Sequence, residues 1–388
     1  MLKPTSRILI LILIILTLAS SPVCCLSSSP VQYRDYWPTT GWRSLSPEAQ
    51  GVNSTKLEEL WQHMLAEANA GGFLLIRNGY LLYEAYYPGI SADHLWNLVS
   101  VAKSITAAVL GVALADGYVS SVNDFVLDYF PDRTVANPDP RKDAMTIHHL
   151  LTMSAGFESQ LEGIVLPSDW IQYLLDLPML HDPGEVWNFD GGCSHLISAI
   201  ITHTTGISMQ TFAQTRIFTP MGISNYVWEA DPEGNTMGFG HITMGLKDIA
   251  KFAYLYLNNG TWGPFQLVPA DWVTECTQPH FLFSDGTGYG YQWWVDPEIS
   301  GYSMRGTGGI RIFNLPELDL VMVFAGGMIF SIQDFYSAFD EFLYPAIIGD
   351  TVSITQPVGE QIFPFVVVLL LVAIPVVVGN VYRQRKRF

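Results

Sequence analysis

Positive charge is scarce in this chain: 19 lysines and arginines stand against 36 aspartates and glutamates, a formal net charge of −17. Six of the cations (Lys3, Arg7, Arg383, Arg385, Lys386 and Arg387) lie at the two ends, so the stretch between carries 13 against 36, about −23. A surface of that sign repels a phosphate backbone, which excludes nucleic acid as a partner. Four cysteines in 388 residues exclude a disulfide-stapled scaffold. Cys24 and Cys25 fall at an expected processing site; Cys193 and Cys276 read as two buried thiols, with a disulfide between them as the alternative. The nine histidines fall at no metal-ligand spacing and no glycine-rich phosphate loop is present, so neither a metal nor a cofactor is expected. Internal repeats are missing too, which excludes a solenoid.

Charge is also missing from two long runs. Met1 to Arg7 carries Lys3 and Arg7, and Ile8 to Leu18 is apolar except for Thr17 before small residues follow. That layout predicts a secretory signal peptide over 1–25, with an uncleaved anchor reaching Leu26 as the alternative. A linker is expected over 26–45. Near the other end, Ile362 to Val381 contains no charged residue, and its length matches a bilayer core. Basic residues follow at once, which predicts a transmembrane helix over 362–382 and a cytoplasmic tail over 383–388. A tether over 351–361 joins this anchor to an extracytoplasmic globular part.

The most informative short pattern is Ser100-Val101-Ala102-Lys103, inside a small-residue, apolar run from Leu95 to Ala115. Apolar residues at helical spacing from Ala102 to Ala113 predict a helix, with Asn97 placed to cap its start. Residues three apart share a helix face, so the hydroxyl and the amine lie side by side. A serine needs a base to become a nucleophile, and a lysine desolvated by apolar neighbours loses its proton near neutral pH. The pair therefore predicts an acyl-enzyme.

Other segments extend the pattern. Phe73 to Tyr83 reads as a hairpin around an Asn78-Gly79 turn. Further on come Thr146 to Phe157, Pro183-Gly184-Glu185, Gly288 to Trp294, and Leu315 to Val321. In this order, these segments resemble the serine β-lactamase and penicillin-binding-protein superfamily, in its class C-like esterase and peptidase branch, over Ser46 to Ile348. The resemblance implies an α+β fold: an antiparallel sheet flanked by helices, with a mostly helical second lobe and a cleft between them, in a domain spanning 46–350. It also implies Ser100 and Lys103 as the catalytic pair and an oxyanion hole from the N–H groups of Ser100 and Ile310. Substrate contacts are implied for Phe189, Asp190, Thr307, Gly308, Gly309 and Trp293, with Trp294 as the other candidate in that strand.

The chain departs from the family pattern twice. Phe189 stands where the second motif has a tyrosine, and a phenyl ring has no proton to pass; losing such a general acid–base group costs about 10²–10⁴-fold. Thr307 stands where the third motif begins with lysine or histidine, so no charge there holds a substrate carboxylate. Asn188 or Asp190 is weighed as a partial substitute for the first loss, against ordinary loop hydrogen bonding. Arg305 is weighed for the second, against a solvent-facing strand end. Two functions remain in view. One is a membrane-anchored serine hydrolase acting on a small-molecule or peptide ester, amide or D-amino-acid peptide. The other is an impaired relative that binds a peptide, an envelope component or a protein partner in the same cleft. Oligomeric state is not encoded legibly.

Overall fold

The computed structural model describes residues 34–68, 70–159, 167–326 and 331–347. The expected signal peptide, tether, transmembrane helix and basic tail lie outside those residues. Among the described residues no helix is long and apolar enough to cross a membrane.

The Asn78-Gly79 turn sets the first contact of the sheet. Both residues take left-handed backbone, with φ of 52° and 83°. That is the turn whose twist matches a two-residue hairpin, and Arg77 pairs with Tyr80 across it. The hairpin strands β1 (Gly72–Arg77) and β2 (Tyr80–Tyr86) join six late strands: β3 (Phe281–Leu282), β4 (Gly288–Tyr289), β5 (Trp294–Asp296), β6 (Gly301–Gly306), β7 (Ile310–Leu315) and β8 (Leu320–Ala325). Their spatial order is β2-β1-β8-β7-β6-β5-β4-β3, antiparallel at every described pairing. The chain closes the sheet by laying β8 against β1, with Gly72 opposite Ala325 and Arg77 opposite Leu320.

Side chains alternate across β1, so its two faces serve two cores. Leu74 and Ile76 enter the core shared with the helical lobe. Phe73 and Leu75 enter the other core, where Phe73 stacks on Phe324 with ring centroids 4.6 Å apart. Helix α1 (Ser54–Ala68) covers that second face with Leu57, Leu60, Trp61 and Met64. Each such burial contributes roughly 1.5–3 kcal/mol. Its start is capped by Asn53, whose Oδ1 accepts from Lys56 N at 3.2 Å. Glu58, which the pattern Thr55-x-x-Glu58 suggests for a capping box, instead accepts from Tyr83 Oη at 2.6 Å.

Helix α2 (Ala102–Ala115) is buried from Ala102 to Ala113. A helix apolar all round belongs in an interior, and α2 forms the spine of the helical lobe. Helices α3 (Gly191–Thr205) and α4 (Leu246–Leu257) contribute to the same core. Asn314 of β7 ties α4 to the sheet by donating to Ala253 O at 2.8 Å. Helix α5 (Ile332–Ala338) joins α1 on the far face. Residues 35–45, expected as linker, are instead docked: Trp37 packs against Tyr254 and Trp262, and Trp42 Nε1 donates to Lys247 O at 3.0 Å. Cys193 and Cys276 are free and buried.

Candidate active site

Ser100 is presented by a short strained segment. Leu95–Asn97 is an edge strand of a three-stranded sheet with Ile242–Gly245 and Tyr226–Trp228. Asn97 Oδ1 then accepts from Val99 N at 3.0 Å, and Val99 takes φ of 49°. A β-branched residue in the left-handed region is strained, at a cost of order 1–3 kcal/mol. A 3-10 turn over Val99–Val101 follows and runs straight into α2. Ser100 thus lies in a tight turn before the helix, where the sequence pattern places it in the first helical turn.

Lys103 lies in the first turn of α2, with only 4% of its surface exposed. Its Nζ lies 3.1 Å from Ser100 Oγ and donates to Phe239 O at 3.0 Å. Two aromatic rings face the amine, Phe189 with its centroid at 4.8 Å and Phe239 at 5.9 Å. Burial among these groups lowers its pKa to about 7, with the nearby Asp190 carboxylate acting in the opposite sense. The amine is therefore substantially neutral at physiological pH and aimed at the hydroxyl.

A cleft of about 400 Å³ opens in front of Ser100, bordered by Phe189, Trp294, Arg305, Arg311 and the loop Gly306–Gly309. Glycine at 306 allows this arrangement, since a Cβ there would stand 2.6 Å from Leu98 O, on the segment that carries Ser100. The loop Thr307-Gly308-Gly309 links β6 to β7, and both glycines take left-handed backbone. Ile310, expected as the second oxyanion donor, begins β7 opposite Gly306, between Gly309 and Arg311, which both border the cleft.

Two expected substrate contacts are corrected. Trp293 is fully buried, wedged against Tyr256 at 4.3 Å and Tyr302 at 5.4 Å between ring centroids. Successive residues of a strand face opposite sides, so Trp294 is the one that borders the cleft. Asp190 is 3% exposed and caps α3, accepting from Gly192 N at 2.6 Å, Ser159 N at 2.5 Å and Ser159 Oγ. Burial raises its pKa despite those bonds, and its oxygens are occupied by the cap. Ordinary loop bonding is thus the role the geometry gives it.

Arg305 is not solvent-facing. Its guanidinium pairs with buried Asp296, Nε donates to Ser303 Oγ at 2.9 Å, and the group lies 4.6 Å above the Trp294 ring. Tyr336 Oη also donates to Asp296, at 2.5 Å. The charge of Arg305 is thereby matched.

Gln292 lies within the Gly288 to Trp294 segment, whereas the two other residues behind the site, His195 and Asp231, have no local sequence signal. Gln292, with φ of 64° and 2% exposed, accepts from Ser104 Oγ of α2 at 2.7 Å through its carbonyl and from Ser194 Oγ of α3 at 2.7 Å through Oε1. His195 Nε2 lies 3.0 Å from Asp231 Oδ2 in a fully buried pair, and the His195 ring packs edge-on against Phe239 at 5.8 Å. That contact steadies the residue whose carbonyl holds Lys103. His148 and His149 keep to the expected structural roles: His148 Nδ1 meets Tyr291 Oη at 2.9 Å and His149 completes a capping box with Thr146.

The beta-lactamase family pattern matches residues 57–326. A 6-aminohexanoate-dimer hydrolase of Paenarthrobacter ureafaciens is 24% identical over 315 residues, covering 70% of this chain and 75% of its own. Among solved structures, EstCE1, a hydrolase with promiscuous acyltransferase activity, superposes with a TM-score of 0.64 at 15% identity over 76% of this chain and 100% of its own. An octameric penicillin-binding protein homologue from Pyrococcus abyssi does so with a TM-score of 0.61 at 18% identity, over 76% of this chain and 78% of its own. At such identities the structural likeness speaks for the fold. Together with the family match over most of the described body, it establishes that the chain belongs to the beta-lactamase family, within the serine β-lactamase and penicillin-binding-protein superfamily.

Proposed function

We propose that this protein is a serine hydrolase of esterase or amidase type that works through an acyl-enzyme on Ser100. The observation that carries the reading is the 3.1 Å contact between Ser100 Oγ and an amine whose pKa is lowered to about 7. Lys103 takes the hydroxyl proton as Oγ bonds to the substrate carbonyl carbon. The resulting ammonium returns that proton to the leaving oxygen or nitrogen as the old bond breaks. Water then attacks the acyl-enzyme with Lys103 again as base, releasing the acid and regenerating Ser100. The backbone N–H groups of Ser100 and Ile310 are assigned here as the oxyanion donors, a contribution of a few kcal/mol. The relative from Paenarthrobacter ureafaciens, a dimer hydrolase by name, supports hydrolysis as the reaction class.

Export and anchoring belong to the same proposal. The apolar run after Arg7, the charge-free stretch from Ile362 to Val381 and the basic tail support a single-pass protein with its hydrolase domain on the extracytoplasmic side.

Labelling with a fluorophosphonate probe, read by intact mass, tests the chemistry. Wild type is expected to gain one adduct, lost in Ser100→Ala and much slower in Lys103→Ala. Absence of an adduct on wild type up to about pH 10 would leave the cleft as a binding site.

A further inference from the structure

Phe239, whose carbonyl holds Lys103, belongs to a buried irregular segment from Thr236 to Gly240 that α2 grips on one side and α3 on the other. Buried carbonyls need donors, and here five in a row receive them from side chains. Ser198 Oγ of α3 donates to Thr236 O at 2.6 Å, and Thr106 Oγ1 of α2 to Gly238 O at 2.8 Å. Trp228 Nε1 donates to Met237 O at 2.9 Å and to Gly240 O at 3.1 Å, and Lys103 supplies the bond to Phe239 O. The segment approaches α3 so closely that a Cβ at Gly238 would stand 2.2 Å from Ser194 O. The carbonyls on either side of Phe239 are thus fixed without the lysine, and Phe239 O is an acceptor set in place for it.

Two buried side chains anchor the approach to this segment. Asp231 accepts from Glu233 N at 3.0 Å, from Asn235 N at 2.8 Å and from Asn235 Nδ2 at 2.9 Å, and its Oδ2 lies 3.0 Å from His195 Nε2 on α3. The side chains of His195 and Asp231 are both fully buried. Among the described residues His195 Nδ1 has no hydrogen-bond partner, so the ring proton belongs on Nε2, facing the carboxylate. The same ring packs against Trp170 at 5.3 Å and Phe239 at 5.8 Å between centroids. His195 therefore grips the segment twice, by a bond at Asp231 and by contact at Phe239.

Building on the serine-hydrolase reading, we propose that His195 and Asp231 are positioning residues for the base: they hold the Phe239 carbonyl where it takes an N–H of the neutral Lys103 amine and turns the lone pair toward Ser100. A neutral amine has two N–H groups and one lone pair, and the lone pair receives the serine proton. Phe239 O, at 3.0 Å, can only accept, which leaves Ser100 Oγ, at 3.1 Å, as the group the lone pair faces. Once the proton has moved from Oγ to Nζ, the carbonyl accepts from the ammonium as well. Neither residue touches the reacting atoms. Both act through a backbone group, and a misplacement of about 1 Å at a reacting centre costs on the order of 100-fold.

Buried side chains also support the fold, so the test separates positioning from stability. It follows single-turnover acylation by a 4-nitrophenyl ester, taken to saturation, with melting curves reporting the fold. His195→Phe keeps a ring against Trp170 and Phe239 but loses the bond to Asp231. It is expected to lower the saturating rate by about 10- to 100-fold while the half-saturating concentration stays within about threefold of wild type. His195→Gln, which restores an N–H near the Nε2 position, should recover most of that loss. A folded His195→Phe that acylates at the wild-type rate, or a His195→Gln no faster than it, overturns the proposal. Where His195→Phe does not fold, Asp231→Asn decides, since it keeps the shape but puts an N–H where His195 needs an acceptor: the same loss supports the proposal and a wild-type rate overturns it. Should wild type itself show no acylation, the hydrolase reading fails, and the titration of Lys103, followed by the NMR shift of its 13C-labelled Cε, decides the proposal. Removing an acceptor of the charged form lowers the midpoint in His195→Phe, and His195→Gln restores it. Asp190 and Cys193 from α3, Phe189 and Ser100, which also face the amine, are the same in both variants. An unmoved midpoint overturns the proposal.

Discussion

The Phe189 ring centroid lies 4.8 Å from Lys103 Nζ. A phenyl group therefore sits beside the amine where the family pattern has a phenol, excluding water from Lys103 while offering no proton. Among the described residues Lys103 is the titratable group in contact with Ser100 Oγ, and the proposed mechanism gives it both proton transfers.

Restoring the phenol is the direct test of that arrangement. Phe189→Tyr is expected to raise the rate of probe labelling and of ester turnover by about tenfold or more, within the range a positioned acid–base group contributes. A folded variant with unchanged rates would show that the ring position has no part in proton transfer.

The pH dependence follows from the lowered lysine. The neutral amine is the active base, so kcat/KM should rise with pH, reach half its plateau at about pH 7 and stay flat above it. Stability carries the same signature. The folded pKa is about 7 and the ordinary value is 10.5, so burial of the charged form costs stability in full below about pH 7. Between those values the unfolded chain binds the extra proton, and stability rises with pH through that window. Lys103→Met should therefore gain melting temperature relative to wild type at pH 6, with the gain shrinking by pH 10. A difference independent of pH would place the lysine in an ordinary aqueous setting.

The adjacent tryptophans should separate cleanly. Trp293→Ala removes a fully buried ring and is expected to destabilise by about 3–5 kcal/mol. Trp294→Ala strips the cleft wall, and its main effect should be a higher KM with a smaller loss of stability. Denaturant midpoints and steady-state kinetics on both variants check this, and the reverse ranking would invert the strand's orientation.

Val99 tests whether backbone strain serves the nucleophile. Val99→Gly relieves the left-handed valine, so stability should rise by up to about 1 kcal/mol while Ser100-dependent turnover drops, because the turn no longer fixes the hydroxyl. A fall in stability with turnover intact would assign Val99 to packing alone.

What the amino-acid sequence determined by itself is what short spacings express. The Asn78-Gly79 hairpin depends on two adjacent residues that tolerate positive φ, and the Ser100–Lys103 contact on a separation of three along a helical path. The apolar character of α2 announced a buried helix, and the order of the family segments foretold an α+β domain. Tertiary structure decided everything that depends on residues far apart in the chain. Lys103 is held by a carbonyl 136 positions away, Asp190 is consumed as a helix cap with Ser159, and Arg305 finds Asp296 on the neighbouring strand. Which of Trp293 and Trp294 meets the cleft rested on the packing of Trp293 against Tyr256 just before β5 begins. The physical reason is that a residue's local pattern specifies its backbone geometry. Its charge state and exposure depend on which distant groups the fold packs around it.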